Sequence, residues 1–182
     1  MPRPTARAAA ALLALAAVSG CSLLPAELPR QDSGAGPSAP LAPAAGDATA
    51  TGTIVSITDG DTVRMLVEGR ELRVRLIGLD TPELRDPLEC YGPEATAALE
   101  ALAPPGTEVG YAYDRDPQDR YERELLYLFT ADGTLINLAL VEQGYAEALL
   151  VEPNDRYWPE LQAAERAARD AGRGLWGACP AP

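Results

Sequence analysis

Three short alternations of apolar and other residues follow one another between residues 51 and 76, and they constrain the fold more than any other feature. The first is TGTIVSIT (51–58), and the next two place apolar residues at every second position: Val63, Met65 and Val67, then Leu72, Val74 and Leu76. A period of two is typical of β-strands. The turn signals DGD (59–61) and EGR (68–70) separate the segments, so the pattern predicts an antiparallel meander.

The period changes after this meander. GPEATAALEALAP (92–104) has the apolar stripe of a helix, with proline at its start. Further along the chain, the pattern predicts two strands and then two helices, at 107–113, 124–130, 135–144 and 153–174. The order β-β-β-α-β-β-α-α predicts an α+β fold, in which a small closed barrel is packed against helices.

Residues 1–20 have the features of a bacterial secretion signal. Arg3 and Arg7 precede an apolar core, AAAALLALAAV, that is too short to span a bilayer. VSGC follows, and it resembles a lipobox, which implies cleavage before Cys21 and attachment of lipid to its thiol. The alternative is a plain secretion signal in which Cys21 has no role.

Residues 21–50 are rich in Pro, Ala, Gly and Ser and show no apolar period, which is typical of an extended linker. The folded domain is therefore predicted to span 51–179. We expect a monomer that its lipid anchor holds at a membrane, outside the cytoplasm. Cys90 and Cys179 are predicted to form a disulfide there; the alternative is two separate buried thiols.

The charge is strongly acidic, with 27 Asp and Glu against 15 Arg, no Lys and no His. Removing Arg3 and Arg7 with the signal leaves 13 Arg against 27 acids, a side-chain charge of about −14. Such a chain does not attract nucleic acid through its overall charge. The lack of histidine excludes Ser-His-Asp and Cys-His catalysis and zinc held by histidine, so any catalysis depends on carboxylates, Arg, Tyr or a metal held by oxygen.

Charged residues lie at the ends of the predicted strands. These are Asp61, Arg75, Asp80, Glu83 and Arg123. Carboxylate and carbonyl oxygens suit a hard cation such as Ca²⁺, and guanidinium groups suit a phosphate. A further carboxylate can take a proton from water. Brought together, these groups would suit phosphodiester hydrolysis.

Six segments resemble the thermonuclease (staphylococcal-nuclease-like) family in order and spacing. They are ITDGDTVRM, VRLIGLDTPE, CYGPEA, DRYERELLY, DGTLINLALVEQGYA and EPND. The resemblance implies an OB-type five-stranded barrel with three helices. It also implies Ca²⁺-dependent hydrolysis of single-stranded or denatured DNA and RNA, which leaves 3′-phosphate ends.

The resemblance also implies roles for individual residues. Asp61 and Asp80 are expected to bind Ca²⁺ by their carboxylates, and Thr81 by its backbone carbonyl. Glu83 is expected to act as the general base or to position the attacking water.

Two arginines and a tyrosine complete the implied site. Arg75 and Arg123 are expected to clamp the phosphate, with Tyr121 beside it. Considered singly, each charged residue could instead have a purely structural role, such as ending a strand or pairing with a neighbouring charge. Tyr121 could instead pack against the barrel.

Three features depart from the family pattern, and one of them is the loop LRDPLEC after DTPE, which is shorter and lacks the lysines found in basic relatives. Glu122 stands where the family usually has glycine, and we expect strain if the backbone there has positive φ. Glu122 and Glu124 flank Arg123 and are candidates to pair with it. Leu149 and Val151 stand where the best-known members carry tyrosines. The alternative function is a non-catalytic or weakly active module that binds nucleic acid or protein; a purely structural lipoprotein is a third.

Overall fold

The computed structural model of the chain describes residues 47–85 and 87–180. Its elements, in chain order, are β1 (Ala50–Ile57), β2 (Thr62–Val67), β3 (Arg70–Leu76), β4 (Leu79–Asp80), α1 (Gly92–Leu102), β5 (Glu108–Gln118), β6 (Glu124–Phe129), α2 (Ile136–Glu142), β7 (Glu147–Ala148), α3 (Trp158–Asp170) and α4 (Leu175–Ala178). The predicted secretion signal, the lipidation of Cys21 and most of the linker lie outside the described residues.

Five strands form a closed barrel in the order β1-β2-β3-β6-β5. The predicted meander is its first part, since β1, β2 and β3 pair antiparallel through the two expected turns. Strand β6 then pairs parallel with β3, and β5 closes the barrel against β1. The predicted five-stranded OB-type barrel is therefore confirmed, together with its three main helices. The short pair β4–β7 and the four-residue α4 were not predicted.

The barrel interior is filled by the alternating apolar residues. Val63, Met65, Val74 and Leu76 are buried there, as are Leu126 and Leu128 of β6. Complete burial of such a side chain stabilises a fold by about 1.5–3 kcal/mol. The residues between them on β3, among them Arg75, face outwards, and the position of the functional groups follows from this alternation.

Asn137 joins α2 to the ends of β3 and β6. Its amide donates to the carbonyls of Ile77 (2.9 Å) and Leu126 (3.2 Å), and its Oδ1 accepts the backbone N–H of Leu128 (2.9 Å). The side chain is fully buried, and these bonds satisfy it. It thereby holds the parallel strand pair in register just below the chain segment that leads to Asp80.

The third helix begins later than predicted, at Trp158 instead of Pro153. The reason is a contact with the barrel: the Asn154 side chain accepts the backbone N–H of Asp116 at 2.8 Å and donates to its carbonyl at 3.0 Å. These bonds hold residues 153–155 along β5 in a non-helical conformation.

Cys90 and Cys179 form a disulfide whose Cα atoms lie 5.9 Å apart. It joins the segment before α1 to the end of α4, as predicted from the compartment. Within residues 47–85 and 87–180, the structure has no helix with the length and apolar character needed to cross a membrane.

Candidate active site

A cleft of about 810 Å³ lies on the outer face of the barrel, beside the ends of β3, β4 and β6. Five arginines line it: Arg73, Arg75, Arg85, Arg120 and Arg123. Three carboxylates line it as well, those of Asp80, Glu83 and Asp119. An acidic protein therefore concentrates positive side chains in one cleft, which favours an anionic ligand.

Asp61 lies beneath this cleft and is buried. Its Oδ2 accepts the backbone N–H (3.1 Å) and the hydroxyl (3.0 Å) of Thr81, and its Oδ1 accepts the hydroxyl of Thr62 (3.0 Å). Burial raises the pKa of Asp61 to about 6; the charge of Arg75 opposes this rise and the charge of Asp59 adds to it. Asp61 and Thr81, which are 20 residues apart, are thus in direct contact.

Arg75 bridges Asp61 and Asp80. One terminal nitrogen donates to Oδ1 of Asp61, and the other donates to Oδ1 of Asp80 at 2.5 Å and to the carbonyl of Leu79 at 3.3 Å. The β4–β7 pairing, in which Asp80 faces Glu147, fixes the backbone on which Asp80 stands. Asp61, Arg75, Asp80 and Thr81 therefore form one connected cluster. Of its three charged side chains, that of Asp80 is exposed, whereas those of Asp61 and Arg75 are largely buried.

Glu83 stands at the rim of the cleft on a loop that is closed by reciprocal bonds. Its backbone N–H donates to the Glu89 carboxylate at 2.8 Å, and the backbone N–H of Glu89 donates to the Glu83 carbonyl at 3.1 Å. Oε2 of Glu83 is buried and accepts no hydrogen bond from the described residues, although Nε of Arg85 lies 3.4 Å away. A carboxylate oxygen that is sheltered in this way retains its capacity to accept a proton.

Arg123 is paired with Asp119, and with neither of its flanking glutamates. Its Nε donates to Oδ2 of Asp119 at 2.7 Å, whereas Glu124 accepts from the Tyr113 hydroxyl (2.8 Å) and Gln118 (2.7 Å). The expectation that Glu122 or Glu124 pairs with Arg123 is therefore wrong for the described residues. The reason is the turn, which folds the chain back so that residue 119 faces residue 123.

Asp119 organises that turn. Its Oδ1 accepts the backbone N–H groups of Tyr121 (2.9 Å) and Arg123 (3.0 Å). Partial burial raises the pKa of Asp119, but the hydrogen bonds from Arg123 and Tyr121 outweigh it and hold that pKa below its usual range. Glu122 has φ 61° in the same turn, in the left-handed region that favours glycine. The backbone at Glu122 thus has the positive φ for which strain was expected.

Tyr121 lies on the cleft wall and is 55% exposed. The guanidinium groups of Arg120 and Arg123 lie 4.7 Å and 5.7 Å from its ring centroid, and Arg120 also donates to its hydroxyl at 2.6 Å. Leu149 and Val151 line the same cleft and are exposed. The tyrosine is thus available to a ligand and does not pack in the core.

The residues predicted to bind Ca²⁺ provide oxygen donors only. Within the described ranges, no group of three or more His, Cys, Asp or Glu side chains is arranged for metal binding. The predicted set has two carboxylates and one carbonyl, those of Asp61, Asp80 and Thr81, and one guanidinium draws both carboxylates together. Carboxylate and carbonyl oxygens are the ligands that Ca²⁺ takes in proteins, often with waters to complete its coordination. The donor set therefore fits Ca²⁺ in chemical type.

Residues 73–178 match the family described as Staphylococcal nuclease homologue (SNase), over more than half of the 182 residues. The chain belongs to this family. It is 34% identical over 123 residues to the thermonuclease of Staphylococcus intermedius, a match covering 66% of this chain and 72% of that protein. For the thermonuclease of Staphylococcus hyicus, the identity is 30% over 68% of this chain and 73% of that protein.

A third SNase relative is longer. The endonuclease YncB of Bacillus subtilis (strain 168) is 30% identical over 129 residues, which cover 68% of this chain and 60% of YncB. The family match itself runs from within β3 to the end of α4.

Sequence reasoning missed five residues of the site, namely Arg73, Arg85, Glu89, Asp119 and Arg120. The signal for Asp119 is present in DRYER, since an acid four residues before an arginine is within reach across a tight turn. Arg85 and Glu89 occupy the loop after Glu83 and have no local pattern that singles them out. Their contacts with Glu83 depend on how that loop closes.

Proposed function

We propose that this SNase-family chain is a nuclease that uses Ca²⁺ to hydrolyse phosphodiester bonds of single-stranded DNA or RNA and leaves 3′-phosphate ends. The family and the relatives named as nucleases support hydrolysis of nucleic acid. The observation that carries the proposal is the bridge that Arg75 makes between Asp61 and Asp80, in a cleft that also holds Glu83 and Arg123. The proposal includes a monomer located outside the cytoplasm and anchored through lipid on Cys21.

Three residues would hold the metal ion: Asp61 and Asp80 through their carboxylates and Thr81 through its carbonyl. When bound, Ca²⁺ would act as a Lewis acid that polarises a phosphoryl oxygen. Because Asp61 already contacts Thr81, two of these residues are held together before any ligand binds. The exposed Asp80 side chain is the member that has freedom to adjust.

Glu83 would take the proton of the attacking water. Its Oε2 accepts no hydrogen bond from the described residues, although the Arg85 guanidinium lies 3.4 Å away, so this oxygen is open to accept a proton from water. The water oxygen attacks phosphorus, the bond from phosphorus to the 5′ oxygen breaks, and that oxygen takes a proton from solvent as it leaves. The phosphate stays on the 3′ oxygen.

Arg75 and Arg123 would stabilise the charge that develops on the phosphate oxygens. Guanidinium groups suit this task because their paired N–H donors match the geometry of phosphate. Both groups are now paired with carboxylates, Arg75 with Asp61 and Asp80 and Arg123 with Asp119. A substrate phosphate therefore has to share the N–H donors of these guanidinium groups with the carboxylates, or displace the carboxylates from them.

One assay tests the proposal. The purified full-length protein is incubated with a labelled single-stranded DNA oligonucleotide in Ca²⁺, then in chelator, then in Ca²⁺ again. We expect cleavage that stops with chelator and resumes with Ca²⁺, and product 3′ ends that become extendable by a polymerase only after phosphatase treatment. Cleavage that continues in chelator would contradict the metal requirement. Product 3′ ends that a polymerase extends without phosphatase treatment would contradict cleavage of the bond to the 5′ oxygen.

A binding module is the second candidate, and the occupied guanidinium groups of Arg75 and Arg123 favour it. In that case, the oligonucleotide would bind but remain intact in Ca²⁺. Fluorescence anisotropy with the same labelled oligonucleotide, measured beside the cleavage assay, separates the two functions.

A further inference from the structure

Arg73 lies on the same outer face of β3 as Arg75, two residues before it. Val74, the residue between them, is buried in the barrel, and both arginines line the cleft. Residues two apart on one strand are separated by about 6.6 Å, a spacing comparable to that between neighbouring phosphates of an extended single strand. Neither the family resemblance nor the mechanism above gives Arg73 a role.

The fold gains little from an arginine at this position. Register places Arg73 directly opposite Arg64 of β2, and both side chains are exposed. Like charges directly opposite each other destabilise a sheet. Arg64 is paired with Glu71 at 2.7 Å, whereas Arg73 has no ion pair with any described residue.

Arg73 also lies beside Arg123. Val74 pairs with Glu124, the first residue of β6, in the parallel β3–β6 ladder, and Arg73 and Arg123 each directly precede one of these two paired residues. Neighbouring strands are about 4.8 Å apart. Arg73 and Arg75 on β3 and Arg123 just before β6, all of which line the cleft, therefore present a basic surface that extends beyond the contact point of a single phosphate.

We propose that Arg73 binds the phosphate next to the one that is cleaved, so that the cleft recognises a strand with at least two consecutive phosphates. This inference rests on the proposed function, because the scissile phosphate is placed at Arg75 and Arg123. Its consequence is a preference for oligonucleotides over a dinucleoside monophosphate, which carries one phosphate only.

The test compares full-length wild-type protein with the Arg73→Ala variant on a single-stranded octanucleotide and on a dinucleoside monophosphate. We expect kcat/KM for the octanucleotide to fall about tenfold through KM, and kcat/KM for the dinucleoside monophosphate to stay unchanged. The slope of log Kd for the octanucleotide against log salt should decrease by about 0.7, the value for one phosphate contact on a single strand. Thermal unfolding should occur at the same or a higher temperature, since a like-charge pair is removed.

Two further variants are matched controls. Arg73→Lys should restore most of the octanucleotide affinity, and Arg166→Ala removes an exposed arginine of α3 outside the cleft and should leave the salt slope unchanged. Equal losses on both substrates would place Arg73 at the scissile phosphate and overturn the inference, as would no loss on either.

The outcome for the proposed function is separate. If wild-type protein binds the octanucleotide without cleaving it, catalysis fails while the salt slope of Arg73→Ala still decides the inference. If wild-type protein does neither, both proposals fail.

Discussion

The guanidinium of Arg123 is held by the carboxylate of Asp119 at 2.7 Å, across a turn in which Glu122 has φ 61°. The ion pair therefore depends on a backbone conformation that a residue with a side chain adopts at a cost of about 1–2 kcal/mol. Tyr121, which precedes Glu122, is held in the same turn.

Glu122→Gly should raise the free energy of unfolding by about 1 kcal/mol, because glycine adopts this φ without strain. The greater conformational entropy of glycine in the unfolded chain offsets the rest of the relieved strain. Urea unfolding of the full-length protein measures this change. Glu122→Ala is the matched control, since it removes the carboxylate and keeps the Cβ atom. If alanine stabilises as much as glycine, the cause is charge and not backbone strain.

Ca²⁺ binding should weaken as the pH falls below about 6. Burial raises the pKa of Asp61 to about 6, so below this pH the proton and the cation compete for one carboxylate. Calorimetric titration with Ca²⁺ between about pH 5 and about pH 7.5 should show proton release and an affinity loss approaching tenfold per pH unit at the acidic end. Asp61→Asn should bind weakly with a flat pH profile; a steep profile in that variant would assign the competing proton elsewhere.

The raised pKa of the Asp61 carboxyl also makes the stability of the metal-free protein depend on pH. Its folded pKa lies above the unfolded value of about 3.9, so between these values the folded protein holds a proton that the unfolded chain lacks. The contribution of Asp61 to the free energy of unfolding therefore rises as pH falls through about 6 and is complete below about pH 4. Unfolding in chelator should show this contribution as a difference between wild-type protein and Asp61→Asn.

Glu83→Gln should reduce kcat by about 10²-fold, because the amide cannot accept the proton of the attacking water. The oligonucleotide Kd should change little, since the change is isosteric. Rapid-quench kinetics and anisotropy measure the two quantities separately. Glu100→Gln, an exposed residue of α1, is the control for loss of one negative charge; a full-rate Glu83→Gln enzyme would rule out proton transfer to Glu83.

Replacing both Cys90 and Cys179 by serine should lower the free energy of unfolding by about 4 kcal/mol, since the disulfide closes a long loop with a sequence separation of 89. Activity should also fall severalfold through kcat. The reason is that Cys90 follows Glu89, whose carboxylate holds the backbone N–H of Glu83. Urea unfolding and steady-state kinetics test the two effects.

Cys21→Ser is the control for this pair, and in the purified protein it should change neither quantity. A double-serine protein with normal stability would show that the disulfide adds nothing to the fold. Normal kcat in a folded double-serine protein would show that the Glu83 loop is held by its hydrogen bonds alone.

The barrel could be predicted from the chain because strand alternation is a local signal. Val63, Met65, Val74 and Leu76 all face the core as the period of two requires, and a slip of one residue would expose them all. The start of α3 could not be predicted, because apolar spacing continues through residues 153–157. Asn154 binds β5 there and prevents helix formation, and that contact spans 38 residues of sequence.

The sequence by itself determined the five barrel strands, the turns between the first three, the family and the set of charged residues at the strand ends, since each of these is carried by short segments of neighbouring residues. The tertiary structure alone decided which charges meet. Arg75 reaches Asp61 and Asp80 because three chain segments end at one edge of the barrel, and Arg123 takes Asp119 because a turn directs it away from Glu122 and Glu124. An ion pair depends on the direction and distance of two side chains in space, and neither is a property of the chain segment that carries one of them.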